Sequence, residues 1–201
     1  MQNLQEHQLR VAAVAGQICE SMTVPIDTDS LVKGALIHDM GNIIKFKLEY
    51  FPEFNKPEGL EYWQGIKDAY IEKYGADEHE ATIKIARELG VDEKVIDWAD
   101  QNRFSRLCAH RDSDDLPIKI LHYADGRVGP HGVLSYDARM DDARNRYKDH
   151  KNSLEAETRE KLINCGRDIE KQIFSQSKIR PEDITDASIA KYMEELKNFS
   201  L

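Results

Sequence analysis

The sequence predicts an all-α domain. Apolar residues recur at steps of three, four or seven along most of the 201-residue chain, which is the spacing of one face of a helix. Capping residues and glycines divide this pattern into helical segments. Strand signals are weak, because the one Asp-Gly pair, at 125–126, follows a helical stripe and does not join two alternating apolar runs. The length suits one domain with its own core.

The first two helices follow from apolar spacing and their ends. The first covers Leu4 to Met22, with apolar residues on one face. The second begins at the cap candidates Asp27, Thr28 and Asp29. It ends near Gly41, which offers a left-handed residue at a helix C-terminus.

The remaining helices are separated by similar signals. A loop is predicted over 51–59, which contains two prolines and a glycine. Asp77 with Glu80 forms a capping-box-like start, Asp92 can cap a helix, and Pro117 suits a first helical turn. Further helices are predicted over 62–74, 77–89, 92–108, 117–128, 154–173 and 189–199. A linker over 175–181 precedes the last of them.

Composition excludes several classes of protein. Lys and Arg number 28 against 37 Asp and Glu, giving a net charge of −9, so bulk charge does not support an extended nucleic-acid interface. No apolar run is long enough to cross a membrane, and the N-terminus lacks the features of a signal peptide. Three widely spaced cysteines predict no disulfide framework and suit a reducing compartment. We therefore expect a cytoplasmic protein.

Four ionisable side chains fall on apolar helix faces: His7, His38, Asp39 and Asp125. A buried charge is costly unless it is paired or bound to metal. Two neutral imidazoles and two carboxylates carry a charge of −2, which matches a divalent cation and leaves positions for water. The sequence thus predicts one site for a divalent ion such as Mn, Co, Fe, Ni, Mg or Zn.

Three motifs carry a family resemblance. The segments 6–12 (EHQLRVA), 35–41 (ALIHDMG) and 120–125 (ILHYAD) resemble, in order and spacing, the H…HD…D signature of the HD superfamily of metal-dependent phosphohydrolases. The resemblance covers roughly residues 4–140. It implies an HD-domain-like helical bundle over 1–150, with additional C-terminal helices over 151–201 that pack on it or extend it. It also implies that the four residues above are the metal ligands, with His38 and Asp39 at the catalytic centre.

A second metal is less well supported by the sequence. Two-metal members of the superfamily add histidines after the HD pair. His79 matches the first of these, but Gln101 and Asn102 stand where the next is expected. One metal ion is therefore favoured over two, and His79 remains a candidate ligand of a second metal ion or a candidate phosphate contact.

Phosphate chemistry also needs cations. A metal with open positions polarises a phosphoryl oxygen and activates a bound water. Residues near the motifs that could contact substrate are Arg10, Lys45, Arg127 and His131, with a further group at Arg103, Arg106 and Arg111. The expected partner is a small phosphorylated substrate, a nucleotide in the first place.

Three alternatives stay open at this point. One is a non-catalytic module with the same fold that binds a nucleotide or second messenger. Another is a diiron oxygenase, which would require the fuller histidine set. The third is a protein–protein platform built from the tail helices, including a homodimer.

Overall fold

The computed structural model describes residues 1–147 and 154–199. The described residues form an all-α fold with one short hairpin. The helices are α1 (Gln2–Ser21), α2 (Thr28–Ile37), α3 (Leu60–Tyr74), α4 (Glu78–Glu88), α5 (Glu93–Gln101), α6 (Leu107–Asp112), α7 (Leu116–Asp125), α8 (Tyr136–Tyr147), α9 (Ala156–Phe174) and α10 (Asp186–Leu196). The hairpin pairs β1 (Val128–Gly129) with β2 (Gly132–Val133) in antiparallel fashion. The predicted division at residues 150 and 151 lies outside the described residues.

Helix α1 lies at the centre of the bundle. It contacts α2, α7 and α10, while α9 packs against α6 and α7. The middle of α1 is a run of buried small and branched residues, Val11 to Gly16, which lets its neighbours approach closely. Within the described residues no helix is long and apolar enough to span a membrane.

The predicted helix ends are largely confirmed. The Asp27 carboxylate accepts a hydrogen bond from the Ser30 amide at 3.2 Å, and Asp77 accepts from the amides of His79 and Glu80 at 3.0 and 2.8 Å. These bonds satisfy amides that have no partner within their own helix. Gly75 closes α3 with a φ of 100°, as its position predicted.

Gly41 is glycine for a different reason from the one predicted. Its φ is −87°, which any residue can adopt. A Cβ built on Gly41 would lie 2.2 Å from the Glu78 carbonyl oxygen, so a side chain here would collide with the first turn of α4. The Gly41 amide also donates to the Thr82 hydroxyl at 2.9 Å. The glycine thus allows α4 to pack directly against the chain that follows α2.

The helix predicted over 92–108 is wrong, since it is interrupted. Helix α5 ends at Gln101, and α6 begins only at Leu107. The carbonyl of Gln101 bonds the His110 Nε2 at 3.0 Å, and the carbonyl of Asp100 accepts from the Arg103 Nε at 2.8 Å. Side chains therefore satisfy these carbonyls where a continuing helix would have used backbone amides.

The expectation that the three cysteines form no disulfide framework and suit a reducing compartment did not anticipate the one disulfide that the structure contains. Cys108 on α6 and Cys165 on α9 form a disulfide, with their Cα atoms 5.0 Å apart. The two are 57 residues apart in sequence, so their proximity arises from the packing of α6 on α9. Cys19 is buried and free. Charged, weakly amphipathic α8 was not predicted as a separate helix.

Candidate metal centre

The four residues singled out by the sequence meet at one point. His7 comes from α1, His38 and Asp39 follow α2, and Asp125 is the last residue of α7. The His7 Nε2 lies 3.2 Å from the Asp125 Oδ1 and 3.6 Å from the Asp39 Oδ2. The His38 Nε2 lies 3.7 and 3.6 Å from the same two oxygens. Each imidazole thus faces both carboxylates.

The His38 ring is held in one orientation. Its Nδ1 lies 2.7 Å from the carbonyl oxygen of Ala35, one turn earlier in α2. Because a carbonyl only accepts, Nδ1 carries a proton, and in the neutral ring Nε2 therefore has its lone pair free toward the centre. That buried Nε2 has no hydrogen-bond partner among the described residues. A buried nitrogen left in this state is costly, and metal coordination would satisfy it.

The charges in the centre perturb one another strongly. Burial opposes protonation of His38, but the carboxylates of Asp39 and Asp125 outweigh it and raise its pKa to about 9. Burial would likewise raise the pKa of Asp125, yet the facing imidazoles of His38 and His7 hold it well below its ordinary value. In the absence of a metal, protons therefore stabilise the centre.

The donor set fits a divalent cation. His7, His38 and Asp39 each offer a ligand atom, and these atoms lie within 4.8 Å of one another. Asp125 joins them through its 3.2 and 3.7 Å contacts with the two imidazoles. With metal–ligand bonds of about 2.1 Å, neighbouring ligands of an octahedral ion lie about 3 Å apart, close to these separations. Two carboxylates neutralise the charge of the ion.

The comparison with protein families agrees with this geometry. The HD domain family model matches residues 4–127, which is more than half of the chain and spans all four side chains. The chain belongs to the HD domain family. No curated protein and no solved structure matches this HD domain. The family match and the helical architecture bear out the fold predicted from the sequence.

The position expected to hold a further histidine is used differently in this HD domain. The Asn102 Nδ2 donates to the Asp125 Oδ2 at 3.2 Å, while Asp125 Oδ1 faces the histidines. Asn102 thus holds the carboxylate of Asp125, one of the four converging residues, in its orientation. Because it follows the end of α5, the interruption of the predicted helix is what aims its side chain at the centre.

His79 stands apart from the four converging residues. Burial and the positive charge of Arg103 lower its pKa, and Lys45 adds to this effect. Its Nε2 lies 3.8 Å from the Glu78 carboxylate. Among the described residues, the group that could hold a metal does not include His79. The neighbouring cations Arg103 and Lys45 disfavour a further divalent ion at His79, and the number of metal ions stays a prediction.

A cleft of about 820 Å³ opens on the centre. His7, Asp39 and Asp125 lie in its wall beside many aromatic and cationic side chains. The aromatic residues are Phe46, Tyr50, Phe51, Phe54, Phe104 and Tyr136. The cationic residues are Lys45, Lys47, Arg103, Arg139, Arg144, Arg146 and Arg159. The local positive charge contrasts with the net charge of −9 of the whole chain.

Only some of the predicted substrate contacts line the cleft. Lys45 and Arg103 line the cleft. Arg10 does not line it and pairs with Glu6 at 3.0 Å, one turn away on α1, so the prediction for Arg10 is not supported. His131 is exposed outside the lining, with its ring 6.0 Å from that of Phe54. Arg106 and Arg111 are not lining residues either.

The prediction for Arg127 is wrong. Its side chain is 2% exposed and points away from the cleft into the core. Its Nη1 donates to the Tyr123 hydroxyl at 2.6 Å and the Pro181 carbonyl at 3.1 Å, and its Nη2 donates to the Ile184 carbonyl at 3.1 Å. The Nε donates to the Leu134 carbonyl. Four of the five guanidinium N–H donors of Arg127 thus bind groups of the protein, so the side chain holds the segment before α10 against the end of α7 and is not available to a substrate in the cleft.

Sequence reasoning gave no role to two other residues of the cleft. His122 lies one turn before Asp125 on α7 and lines the cleft, and its buried Nδ1 has no partner among the described residues. Burial lowers its pKa to about 4, so the ring is neutral near pH 7. Arg139 also lines the cleft, from α8. The helical spacing of His122 from Asp125 was a usable signal, whereas the weak pattern of α8 hid Arg139.

Proposed function

We propose that this HD domain is a metal-dependent phosphohydrolase that acts on a small phosphate ester. The observation that carries the proposal is the buried His38 Nε2, which has no hydrogen-bond partner among the described residues and faces His7, Asp39 and Asp125. A divalent ion held there would supply Lewis acidity and an activated water. The family match supports the same class of reaction.

The residues of the chain would position the ester. Lys45 and Arg103 are cations in the cleft wall and suit the oxygens of a phosphoryl group. Asn102 keeps Asp125 turned toward the centre by its 3.2 Å hydrogen bond. The imidazole of His122 is neutral near pH 7, so it can form a hydrogen bond with a polar atom of the substrate without adding a charge to the cleft.

A nucleotide is the substrate that the cleft favours. Tyr50 is 63% exposed and Phe51 38% exposed, although both line the cleft, so planar rings are available for contact. A nucleobase stacks on such rings, and a simple sugar phosphate gains less from them. The proposed partner is therefore a small molecule with a phosphate at one end and an aromatic ring at the other.

Elemental analysis of protein purified without chelator tests the centre. We expect about one divalent ion per chain in the wild type and a large loss in Asp39→Ala, because a ligand is removed. Asp29→Ala is the matched control, since Asp29 is an exposed carboxylate of α2 that pairs with Lys33. Equal metal content in both variants would contradict the assignment. Two iron ions per chain would instead favour an oxygenase.

Phosphate release tests the activity. Nucleoside mono-, di- and triphosphates are incubated with the protein and Mn, Co, Fe, Ni, Mg or Zn, and inorganic phosphate is measured. We expect release by the wild type and by Asp29→Ala, and none above background by Asp39→Ala. Nucleotide binding without release under any metal would contradict the proposal and identify a binding module.

A further inference from the structure

Arg139 is anchored in the wall of the cleft by a backbone carbonyl. Its Nε donates to the carbonyl oxygen of Val128 at 2.7 Å. Val128 is buried, lines the cleft and follows Asp125 by three residues. Because one side of the guanidinium is bound to this carbonyl, the rest of the group is held in a fixed position at the cleft wall.

One terminal nitrogen of the same guanidinium lacks an acceptor within the part of the chain that the structure describes. The Nη1 of Arg139 is buried and has no hydrogen-bond partner among the described residues. The carboxylate of Asp142 lies 3.8 Å away, beyond hydrogen-bonding distance. Its Oδ2 already accepts two bonds from Arg146, at 3.0 and 2.6 Å. A buried cationic nitrogen in this state is costly unless an acceptor from outside the chain completes it.

Other cations of the cleft are engaged by the protein. Lys45 lies 3.7 Å from Glu78, and Arg103 bonds the carboxylate of Asp100. Arg144 pairs with Asp141 and Glu160, each at 3.3 Å. Arg139 differs from these three because its closest carboxylate is occupied by another arginine.

We propose that Arg139 is a binding residue for an oxyanion group, phosphoryl or carboxylate, of the molecule that occupies the cleft. A planar guanidinium donates two parallel bonds to such a group, and the negative charge compensates the buried positive one. The inference rests on the proposed function for the identity of the cleft as the substrate site. It adds an anion contact on α8, beyond the residues matched by the family.

Calorimetric titration with inorganic phosphate and with succinate tests the proposal on the full chain. The wild type, Arg139→Gln and Arg87→Gln are each titrated with metal bound and again after metal removal. Arg87 is a matched control because it is an arginine outside the cleft that pairs with Glu93 at 2.9 Å. We expect Arg139→Gln to weaken the binding of one of the two anions about tenfold or more, and Arg87→Gln to change it less than twofold.

A variant with the opposite effect separates binding from folding. Asp142→Asn removes the negative charge 3.8 Å from the Arg139 Nη1. We expect it to tighten anion binding about threefold, a gain that misfolding cannot produce. Weakening of succinate alone would assign a carboxylate, and weakening of phosphate alone a phosphoryl group. Equal affinity in the wild type and Arg139→Gln, or no binding of either anion by the wild type, would overturn the proposal.

The two proposals fail in different ways. If the protein releases no phosphate from any nucleotide, but Arg139→Gln still weakens anion binding in the metal-free series, the anion site stands and the proposed activity falls. If phosphate is released but the arginine variant binds anions as the wild type does, the activity stands and the anion site falls.

Discussion

At His38, metal binding, protonation and the stability of the fold depend on the same ring nitrogen. Its Nδ1 is committed to the Ala35 carbonyl, and its Nε2 faces two carboxylates. A proton on Nε2 pairs with those carboxylates when no metal is present, and a metal would replace it. The stability of the metal-free protein should therefore depend on pH in a range where few other groups titrate.

The free energy of unfolding of the metal-free protein should fall between pH 6.5 and 9. The pKa of His38 is about 9 in the folded state, against an ordinary value of 6.5, so its protonated form stabilises the fold below pH 6.5. That contribution, on the order of 3 kcal/mol, is lost as the pH rises through 9. Urea unfolding across this range measures it.

The His38→Gln variant is the control for this pH series. The pKa of the Met1 amino group is lowered by burial, so its titration favours the folded state as the pH rises and works against the predicted trend. That contribution is common to wild type and variant and cancels in their difference. A difference in stability that stays constant from pH 6.5 to 9 would contradict the raised pKa.

Replacing Arg127 should lower the free energy of unfolding and leave the activity of the folded protein unchanged. Arg127→Met leaves the buried Ile184 carbonyl without its guanidinium donor and removes one of the two donors to the Pro181 carbonyl, and we expect a loss of about 3 kcal/mol or more. Arg111→Met, at a half-buried arginine whose side chain pairs with the exposed Asp112, should cost little. Urea unfolding measures both, and a raised KM with unchanged stability would instead make Arg127 a substrate contact.

Asp125 and Arg127 also show what the sequence can and cannot predict about a site. Both are charged residues two positions apart at the end of one apolar stripe. Periodicity indicates that such a side chain is turned inward, and for all four residues of the centre this was enough. It does not indicate which group the side chain meets, because the partners of Arg127 at 181 and 184 come from a distant segment.

At the scale of elements, local signals predicted helices better than their interruptions. Caps and apolar spacing placed α1, α3 and α4 within two residues at both ends, since both are properties of neighbouring residues, whereas α2 and α7 end three or more residues before the predicted positions. The break after α5 depends on His110 bonding the Gln101 carbonyl and on Asn102 reaching Asp125. Those bonds exist only after the chain has folded, so the pattern over 92–108 does not reveal them.

The close packing of α4 against the chain that follows α2 can be tested at Gly41. Gly41→Ala places a methyl group 2.2 Å from the Glu78 carbonyl and 2.9 Å from the Ala81 side chain, so α4 must move away. We expect a loss of about 2 to 4 kcal/mol in unfolding free energy. Metal affinity should weaken as well, because Gly41 follows Asp39 by two residues. Urea unfolding and metal titration measure the two effects.

Gly65→Ala is the matched control for this substitution. Gly65 lies inside α3, and a Cβ there meets no atom within 4 Å. Alanine restricts the unfolded chain and favours a helix, so this variant should be neutral or more stable by up to about 1 kcal/mol. Similar behaviour of the two variants would show that α4 does not depend on the close approach at Gly41.

At the scale of the whole molecule, the C-terminal helices complete the core around α1. The Tyr192 ring of α10 packs beside Gly16, and its hydroxyl donates to Glu20 at 2.5 Å. Five isoleucines of this region are almost fully buried: Ile163, Ile169, Ile173, Ile184 and Ile189. The family match ends at residue 127, so this packing belongs to the part of the chain that the family does not describe.

Truncation after residue 153 should therefore abolish cooperative folding, although it retains the whole HD family match and all four metal-centre residues. Each buried isoleucine contributes about 1.5 to 3 kcal/mol, so losing five removes roughly 8 kcal/mol or more, comparable with the total stability of a typical domain. Arg127 would lose its acceptors at Pro181 and Ile184 in addition. Thermal unfolding followed by circular dichroism, together with metal content, measures the outcome. A sharp transition and one bound metal in the truncated chain would instead establish residues 1–153 as an independent domain, with the tail helices as an extension of it.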